Sequence, residues 1–296
     1  LKHGSSRVSA SPVLLCTCPQ RTNELCTMPV RAVFFDLDDT LVSTSAHDRS
    51  AFRACVQLIG LRRPGSDGEA LVAAYRRQLS KAPWDPEDRV PISDWRAQLW
   101  VAALDEIGQA TAAAVEPPSL VASTSSRCAS PAELGAELQH RFDEVRLGEF
   151  AWVEGVLELV ERLGAAGLRM CVITNGHSDV QHPKLKVLRA SDLFEHIIVG
   201  GDEVRAGRLE KPDAGIFLKA CELTGVAPME AVHVGDSLSS DIAGAIAAGL
   251  RASIWVSLGS GPVSENCPRP DFTVTSITEL PVVLVELGCL EGPSLS

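Results

Sequence analysis

The chain has 296 residues, of which 45% are hydrophobic and 22% are charged, and its formal net charge at pH 7 is -11. This composition is typical of a globular protein with a sizeable core, and no apolar run approaches the roughly 20 residues of a membrane-spanning helix, so we expect a soluble protein. The acidic balance argues against nucleic acid and membranes as partners, because both attract basic surfaces.

The cysteines of the chain indicate a reducing environment. Nine of them are scattered along the sequence, and no pair of C-x-x-C units occurs. Their number is odd, and several, such as Cys171 in "RMCVI", lie in apolar stretches. We therefore expect reduced intracellular thiols rather than a disulfide framework or a zinc site.

Residues 1–29 differ in composition from the rest of the chain. They are rich in Ser, Thr and Cys and contain no acid before Glu24. Two interpretations stay open: an organellar transit peptide, or an extension upstream of a true start at Met28. We expect a cytoplasmic protein, or an organellar one if this leader is a transit peptide.

The first predicted strand, residues 31–35, runs directly into a cluster of acids. Asp36, Asp38 and Asp39 follow it in "FFDLDDTLV". Like charges this close repel one another and raise one another's pKa. A divalent cation that prefers oxygen ligands, above all Mg²⁺, would neutralise them.

After this strand the sequence predicts a helical insertion. Helical segments are expected at 46–59, 69–80, 93–107 and 131–147, with no convincing strand among them. Residues 108–131 are low in charge and rich in Ala, Ser and Pro, which predicts a flexible loop. We expect the insertion to span residues 46–149.

From residue 150 onward, short β-rich runs alternate with amphipathic stretches. Strands are predicted at 169–173, 196–199, 231–234 and 252–256. This alternation is typical of an α/β fold with a doubly wound, Rossmann-like parallel sheet. We expect the sheet domain to comprise residues 30–45 and 150–288, followed by a tail at 289–296.

Polar residues follow several of these strands and would meet at one sheet edge, because ligands bind at the carboxyl ends of parallel strands. Thr174 and Asn175 follow the strand at 169–173, and "GDSLSSD" follows the strand at 231–234. The turn at Thr174 and Asn175 could bind phosphate oxygens through its hydroxyl and backbone N–H groups, those of Asn175 and Gly176. Lys211 would offset the charge of a phosphate dianion. This set of polar side chains is suited to binding a phosphate group together with a metal ion.

In this order, D-x-D-x-T, T-N-G, K-P and G-D-x-x-x-x-D resemble the four motifs of the haloacid dehalogenase superfamily. The resemblance implies that Asp36 is a nucleophile that forms an aspartyl-phosphate and that Asp38 is the general acid/base. It implies a Mg²⁺ ion held by the Asp36 carboxylate, the backbone carbonyl of Asp38 and Asp236, with Asp241 in support. The helical insertion would then be the mobile cap of subclass one.

Within the superfamily, residues 30–60 and 150–285 are most similar to the N-acylneuraminate-9-phosphatase family. "TNGHSDVQ", "EKPDAGIF" and "VHVGDSLSSDIAGAIAAGLRASIWV" carry the likeness. The likeness fades in the helical insertion. By the resemblance, that insertion is the cap that largely determines which leaving group is recognised. The resemblance implies a Mg²⁺-dependent phosphomonoesterase acting on a small phosphorylated metabolite, such as N-acylneuraminate 9-phosphate or another sugar phosphate.

Other functions use the same motifs. A phosphoglycolate-type phosphatase and a sugar phosphomutase both stay open. A haloacid dehalogenase attacks carbon and needs no acid for an alcohol leaving group, so Asp38 argues against it. A binding protein built on a decayed scaffold would have lost the nucleophile or a metal-binding acid, and Asp36 and Asp236 are both present.

Two expectations concern residues outside the motifs. Pro183 follows "TNG" by a few residues and should kink the next helix or shift its start. Arg76, Arg77 and Arg96 either face a carboxylate of the substrate or are solvated helix positions, and we favour solvated positions.

Overall fold

The computed structural model describes residues 29–114, 129–261 and 263–290. The expected leader, apart from Pro29, most of the loop predicted at 108–131 and most of the expected tail lie outside these residues. The five cysteines in the described ranges are free thiols, as predicted. No helix in these ranges is long and apolar enough to cross a membrane.

The centre of the fold is a six-stranded sheet in which every neighbouring pair is parallel. Its strands are β1 (Ala32–Phe35), β2 (Arg169–Thr174), β3 (His196–Val199), β4 (Ala231–Gly235), β5 (Ala252–Val256) and β6 (Phe272–Val274). Their order across the sheet is β3-β2-β1-β4-β5-β6. The doubly wound α/β sheet predicted from the sequence is confirmed, with β6 as an additional strand.

The strand order reverses beside β1, and this reversal positions the candidate site. Chain order runs outward from β1 through β2 to β3 on one side, whereas β4 lies directly against its other side. Phe35, the last residue of β1, pairs with both Val172 and Val234, so the three central strands end within two residues of one another. A crevice at such a reversal is the usual ligand site of open parallel sheets.

Four helices lie between β1 and β2 in the chain: α1 (Thr44–Arg62), α2 (Gly68–Lys81), α3 (Ile92–Ala114) and α4 (Pro131–Gly148). They share an apolar core of their own. Tyr75 stacks on Trp100 with ring centroids 3.7 Å apart, and Phe52 packs against Phe142. The four predicted helical segments are all helices, and that they form a mobile cap stays a prediction.

The remaining helices flank the sheet: α5 (Val156–Ala165), α6 (Ser178–Val187), α7 (Gly200–Arg205), α8 (Ala214–Thr224), α9 (Ala243–Ala247) and α10 (Leu280–Glu286). Successive side chains of a strand point to opposite faces. Phe35 accordingly packs in one apolar layer with Leu159 and Leu163, whereas Phe34 packs in the opposite layer with Phe217. The sheet is thus buried on both faces.

Helix α6 contradicts one of the two expectations for Pro183, a shifted helix start, and a kink at this residue stays a prediction. The helix begins at Ser178 and continues through Pro183 to Val187, so the proline neither begins nor ends it. The side chain of His177 caps its first turn by accepting a hydrogen bond from the backbone N–H of Asp179. This cap sets the start of the helix before the proline is reached.

Candidate active site

Three carboxylates meet where the central strands end. Asp36 follows β1 and Asp236 follows β4, while Asp241 lies on the π-helical turn Leu238–Ile242 after β4. One carboxylate oxygen from each of the three lies within 4.8 Å of the others. The backbone N–H of Asp36 donates to the carbonyl oxygen of Val234 at 2.9 Å, which extends the β1–β4 pairing to Asp36.

The glycine before Asp236 is required by this close packing. A Cβ atom at Gly235 would overlap the carboxyl group of Asp241. Any side chain there would push Asp241 away from its partners, so the spacing G-D-x-x-x-x-D has a steric cause.

Lys211 lies at the centre of the cluster and is buried. Its Nζ donates to Asp36 Oδ1 at 2.6 Å, to Asp241 Oδ1 at 2.7 Å and to the carbonyl oxygen of Ile173 at 2.7 Å. Burial alone would lower the pKa of Lys211, but the attraction of Asp241 and Asp36 outweighs it and raises that pKa. Lys211 is therefore held as a cation.

Of the three carboxylates, Asp241 is the one whose charged form Lys211 stabilises most. Burial opposes its charge, but Lys211 and His233 together lower the pKa of Asp241. His233 Nε2 lies 2.9 Å from Asp241 Oδ1, and the backbone N–H of Ser237 donates to Oδ2 at 3.0 Å. With its oxygens bonded in this way, Asp241 stays ionised.

The other two acids are less well stabilised in their charged form. Burial raises the pKa of Asp36 well above its ordinary value, although Lys211 opposes this. Burial, with repulsion from Asp241 and Asp39, raises the pKa of Asp236 to about 7. One lysine thus faces three carboxylates, and a divalent cation would balance the two remaining charges.

The donor set fits Mg²⁺. This ion takes hard oxygen ligands in octahedral geometry at about 2.0–2.1 Å, so neighbouring ligand oxygens lie roughly 3 Å apart. Asp36, Asp236 and Asp241 offer hard oxygen ligands that lie within 4.8 Å of one another, close enough for one ion to contact all three. The raised pKa values of Asp36 and Asp236 supply an electrostatic reason for binding, because a bound cation would favour the ionised form of both acids.

The side chain of Asp38 belongs to a different group of contacts. Its carboxylate accepts hydrogen bonds from Gln181 Nε2 at 2.8 Å, from Lys184 Nζ at 2.7 and 2.8 Å, and from the Thr44 hydroxyl. Burial would raise the pKa of Asp38, but Lys184 and the other two donors lower it. Asp38 is held as a carboxylate beside the cluster, and its side chain does not join the group of Asp36, Asp236 and Asp241.

The turn after β2 fixes the backbone of Lys211, and a role of Thr174 and Asn175 in binding phosphate stays a prediction. Asn175 Nδ2 donates to the carbonyl oxygen of Lys211 at 2.7 Å, and its Oδ1 accepts from the backbone N–H of Lys211 at 2.9 Å. The N–H of Gly176, expected to be available to phosphate, donates to Glu210 at 3.2 Å. Thr174 is buried at the end of β2, and its hydroxyl makes only a 3.5 Å contact with the Asn175 carbonyl.

Sequence reasoning missed the residues that hold Asp38. Lys184 is buried, which is rare for a lysine without a charged partner. Gln181 and Lys184 are three positions apart on α6, so they share a helix face. The spacing Q-x-x-K on the helix after "TNG" was the available signal, and its direction toward Asp38 follows only from the packing.

Comparisons with known proteins agree with this geometry. The model of a hydrolase family, the haloacid dehalogenase-like hydrolases, matches residues 30–249. N-acylneuraminate-9-phosphatase of Rattus norvegicus is 30% identical over 261 residues, which cover 88% of this chain and 96% of that protein. Phosphoserine phosphatase of Thermus thermophilus is 30% identical over 258 residues, which cover 85% and 98%.

A solved structure supports the fold. The HAD hydrolase YfnB of Bacillus subtilis superposes with a TM-score of 0.59 at 20% identity and covers 87% of this chain and 99% of its own. At this identity the likeness concerns the arrangement of strands and helices alone.

Proposed function

The chain belongs to the haloacid dehalogenase-like hydrolases and is a phosphoric monoester hydrolase, and from this premise we propose that it releases phosphate from a small phosphorylated metabolite through an aspartyl-phosphate on Asp36, with Mg²⁺ as its cofactor. The observation that carries the proposal is the meeting of Asp36, Asp236, Asp241 and Lys211 at the reversal of strand order. The expected cytoplasmic location, or an organellar one if residues 1–29 are a transit peptide, stays a proposal.

Asp36 is the proposed nucleophile. Its carboxylate oxygen forms a bond to phosphorus while the bond from phosphorus to the leaving oxygen breaks, which divides one difficult displacement into two easier ones. Lys211 bonds one oxygen of Asp36 at 2.6 Å and fixes the orientation of the carboxyl group. Lys211 would also offset negative charge on the transferred group.

Asp38 is the proposed general acid/base. Protonation of the leaving alcohol and later activation of water both require a carboxyl group close to Asp36 but separate from it. The three donors on Asp38 hold it in such a position. A phosphoryl dianion bound beside it would raise its pKa by repulsion, which favours the protonated form that the first step uses.

The metal site of the proposal comprises the carboxylates of Asp36, Asp236 and Asp241 and the backbone carbonyl of Asp38. Bound there, Mg²⁺ would neutralise the acids and the phosphoryl oxygens and so favour attack by an anionic nucleophile. The buried Lys211 keeps Asp241 ionised for this purpose.

For the substrate we propose N-acylneuraminate 9-phosphate or another sugar phosphate. The support is the likeness to the rat N-acylneuraminate-9-phosphatase, which extends over 88% of this chain. The alternative activities of the same scaffold, a phosphoglycolate-type phosphatase and a sugar phosphomutase, differ in leaving group or in the final acceptor of the phosphoryl group.

The test is phosphate release from a panel of N-acetylneuraminate 9-phosphate, phosphoserine, phosphoglycolate, 6-phosphogluconate and hexose phosphates. We expect Mg²⁺-dependent turnover that EDTA abolishes and that Asp36→Asn reduces to background with an unchanged circular dichroism spectrum. Turnover in EDTA, or near-normal activity of Asp36→Asn, would refute the mechanism. Appearance of an isomeric hexose phosphate would favour the phosphomutase.

A further inference from the structure

His233 is a polar side chain that β4 places inside the core. It is completely buried and pairs across the sheet with Phe34 of β1. Its Nε2 lies 2.9 Å from Asp241 Oδ1, whereas no residue in the described ranges offers a hydrogen-bond partner to its Nδ1. Leaving a buried polar atom unpaired lowers stability. An aliphatic side chain would avoid that loss, so packing alone does not account for a histidine at this position.

The packing around His233 fixes the direction of its ring. Phe217 of α8 meets the ring edge-on, with centroids 4.9 Å apart and an angle of 87° between the planes. Gly244 of α9 makes room for this contact, because a Cβ atom built there would overlap the ring of Phe217. The imidazole is thus held with Nε2 toward Asp241. Since a carboxylate oxygen accepts, Nε2 carries the hydrogen and donates it.

The hydrogen bonds of Asp241 leave one of its oxygens with room for a metal ion. Oδ1 accepts from both Lys211 Nζ and His233 Nε2, while Oδ2 accepts from the backbone N–H of Ser237. A carboxylate has about four lone-pair sites, two on each oxygen. The donors on Oδ1 occupy both of its sites, whereas one site on Oδ2 stays available to the proposed Mg²⁺.

The two donors on Oδ1 differ in what else they hold. Lys211 Nζ also donates to Asp36 Oδ1 and to the carbonyl oxygen of Ile173. Its position therefore depends on Asp36, the proposed nucleophile, whose charge and bonding change during the reaction. His233 bonds Asp241 alone among the described residues. Of the two side-chain donors, His233 is the one that keeps the plane of the Asp241 carboxylate fixed when Asp36 reacts.

We propose that His233 is a positioning residue, which orients the Asp241 carboxylate toward Mg²⁺ and so sets the affinity of the enzyme for this ion. The inference rests on the proposed function and assigns a role in it to a residue outside the four motifs. Groups that hydrogen-bond the ligands of a metal typically contribute about 10- to 100-fold in metal affinity or activity.

The first test measures metal binding without turnover. His233→Met removes the donor and supplies an unbranched apolar side chain that adapts to irregular gaps. In calorimetric titration of the metal-free, full-length protein with Mg²⁺, we expect its Kd to be about 10- to 100-fold higher than that of wild type. His233→Gln keeps an N–H donor near the end of the side chain, so its Kd should lie closer to that of wild type.

The second test separates metal binding from substrate binding in the kinetics. His233→Met should need about 10- to 100-fold more Mg²⁺ for half-maximal rate. At saturating Mg²⁺, its KM for the best phosphorylated substrate should stay within about three-fold of wild type, because His233 acts on the metal ligand and not on the substrate.

Ser253→Ala is the matched control. Ser253 pairs with His233 across β4 and β5 and is also buried, but its hydroxyl bonds Asp271 instead of the acids of the site. We expect this variant to lose stability in urea and to keep the Mg²⁺ affinity of wild type. The comparison distinguishes orientation of Asp241 from a general loosening of the core.

Three outcomes would overturn the inference: a folded His233→Met that binds Mg²⁺ as wild type does, an equal loss of affinity in Ser253→Ala, or no recovery in His233→Gln. Unfolding curves in EDTA identify a variant that fails to fold, and His233→Leu then replaces His233→Met. Failure of the proposed function is distinguishable, because wild type would then release no phosphate from any substrate of the panel. Weaker Mg²⁺ binding by His233→Met would support the role of His233 even in that case.

Discussion

Lys184 and Lys211 each balance the negative charge of a different acidic group in the site. Lys211 bonds Asp36 and Asp241, whereas Lys184 bonds both oxygens of Asp38. Both lysines are buried. The proposed nucleophile and the proposed general acid/base are therefore oriented by separate cations, so that either can be perturbed alone.

Replacing Lys184 tests this division at the scale of one residue. In Lys184→Met, Asp38 loses its charged partner and two of its bonds, so we expect kcat to fall about ten-fold or more, as part of the roughly 10²- to 10⁴-fold that general acid–base catalysis supplies in full. KM should change less, because Lys184 bonds the proposed acid/base Asp38 and not the proposed nucleophile Asp36. Steady-state kinetics with the best panel substrate measure both parameters.

The control is Lys186→Met on the same helix, since the Lys186 side chain is exposed. It should keep wild-type kinetics. If Lys184→Met also retained wild-type kcat, the orientation of Asp38 by Lys184 would have no role in turnover.

Among the elements, α3 and α4 approach each other at Gly135. A Cβ atom built there would lie 2.7 Å from the carbonyl oxygen of Ala97 and 2.7 Å from Val101 Cγ2. Helices that carry larger side chains at the contact pack further apart. Gly135 therefore sets the distance between the two helices, and Arg96 lies beside Ala97 on the helix that faces it.

Gly135→Ala should accordingly destabilise the protein by about 1–3 kcal/mol, the usual cost of overpacking. Gly148→Ala in the same helix is the control, because nothing lies within 4 Å of the new methyl group. Alanine in a helix should make that variant neutral or slightly more stable. Urea unfolding compares the two, and equal stability of both variants would contradict tight packing at Gly135.

For the whole molecule, the uncompensated acids predict how stability depends on pH without metal. The folded pKa of Asp236 is about 7, above the roughly 3.9 of an unperturbed aspartate. Between these values the folded protein holds a proton that the unfolded chain has lost. The contribution of Asp236 to stability is thus complete below pH about 4 and is lost as the pH rises to about 7.

The variant Asp236→Asn has no titratable group at this position, so it should lack this part of the pH dependence of stability. In EDTA, we expect the melting temperature of the variant relative to wild type to rise between pH 4.5 and 7.5. Saturating Mg²⁺ at pH 7.5 should stabilise wild type by ligand linkage and the variant less. Asp192→Asn, which removes an exposed acid paired with Arg189, should follow wild type throughout. Parallel curves for wild type and Asp236→Asn would disprove the prediction.

The strands and the motif spacing could be predicted from the sequence, because both depend on the pattern of residues over a few neighbouring positions. Apolar runs predicted β1 to β5, and the acids after β1 and β4 were expected at one edge from the rule for parallel sheets. β6 escaped prediction because Phe272–Val274 is three residues long and Thr273 is exposed, so it lacks a distinct apolar run. The site roles proposed for Asp36, Asp38, Asp236 and Asp241 stay predictions.

The sequence by itself determined the sheet, the helical insertion and the acids at the sheet edge, because hydrophobic periodicity and residue spacing act over a few positions. Only the tertiary structure decided that Lys184 and Gln181 bind Asp38 across 146 and 143 residues, and that Lys211 joins Asp36 to Asp241. Such contacts depend on how separate helices pack around a shared core. Burial and the pairing of charges are properties of that packing, and no local pattern encodes them.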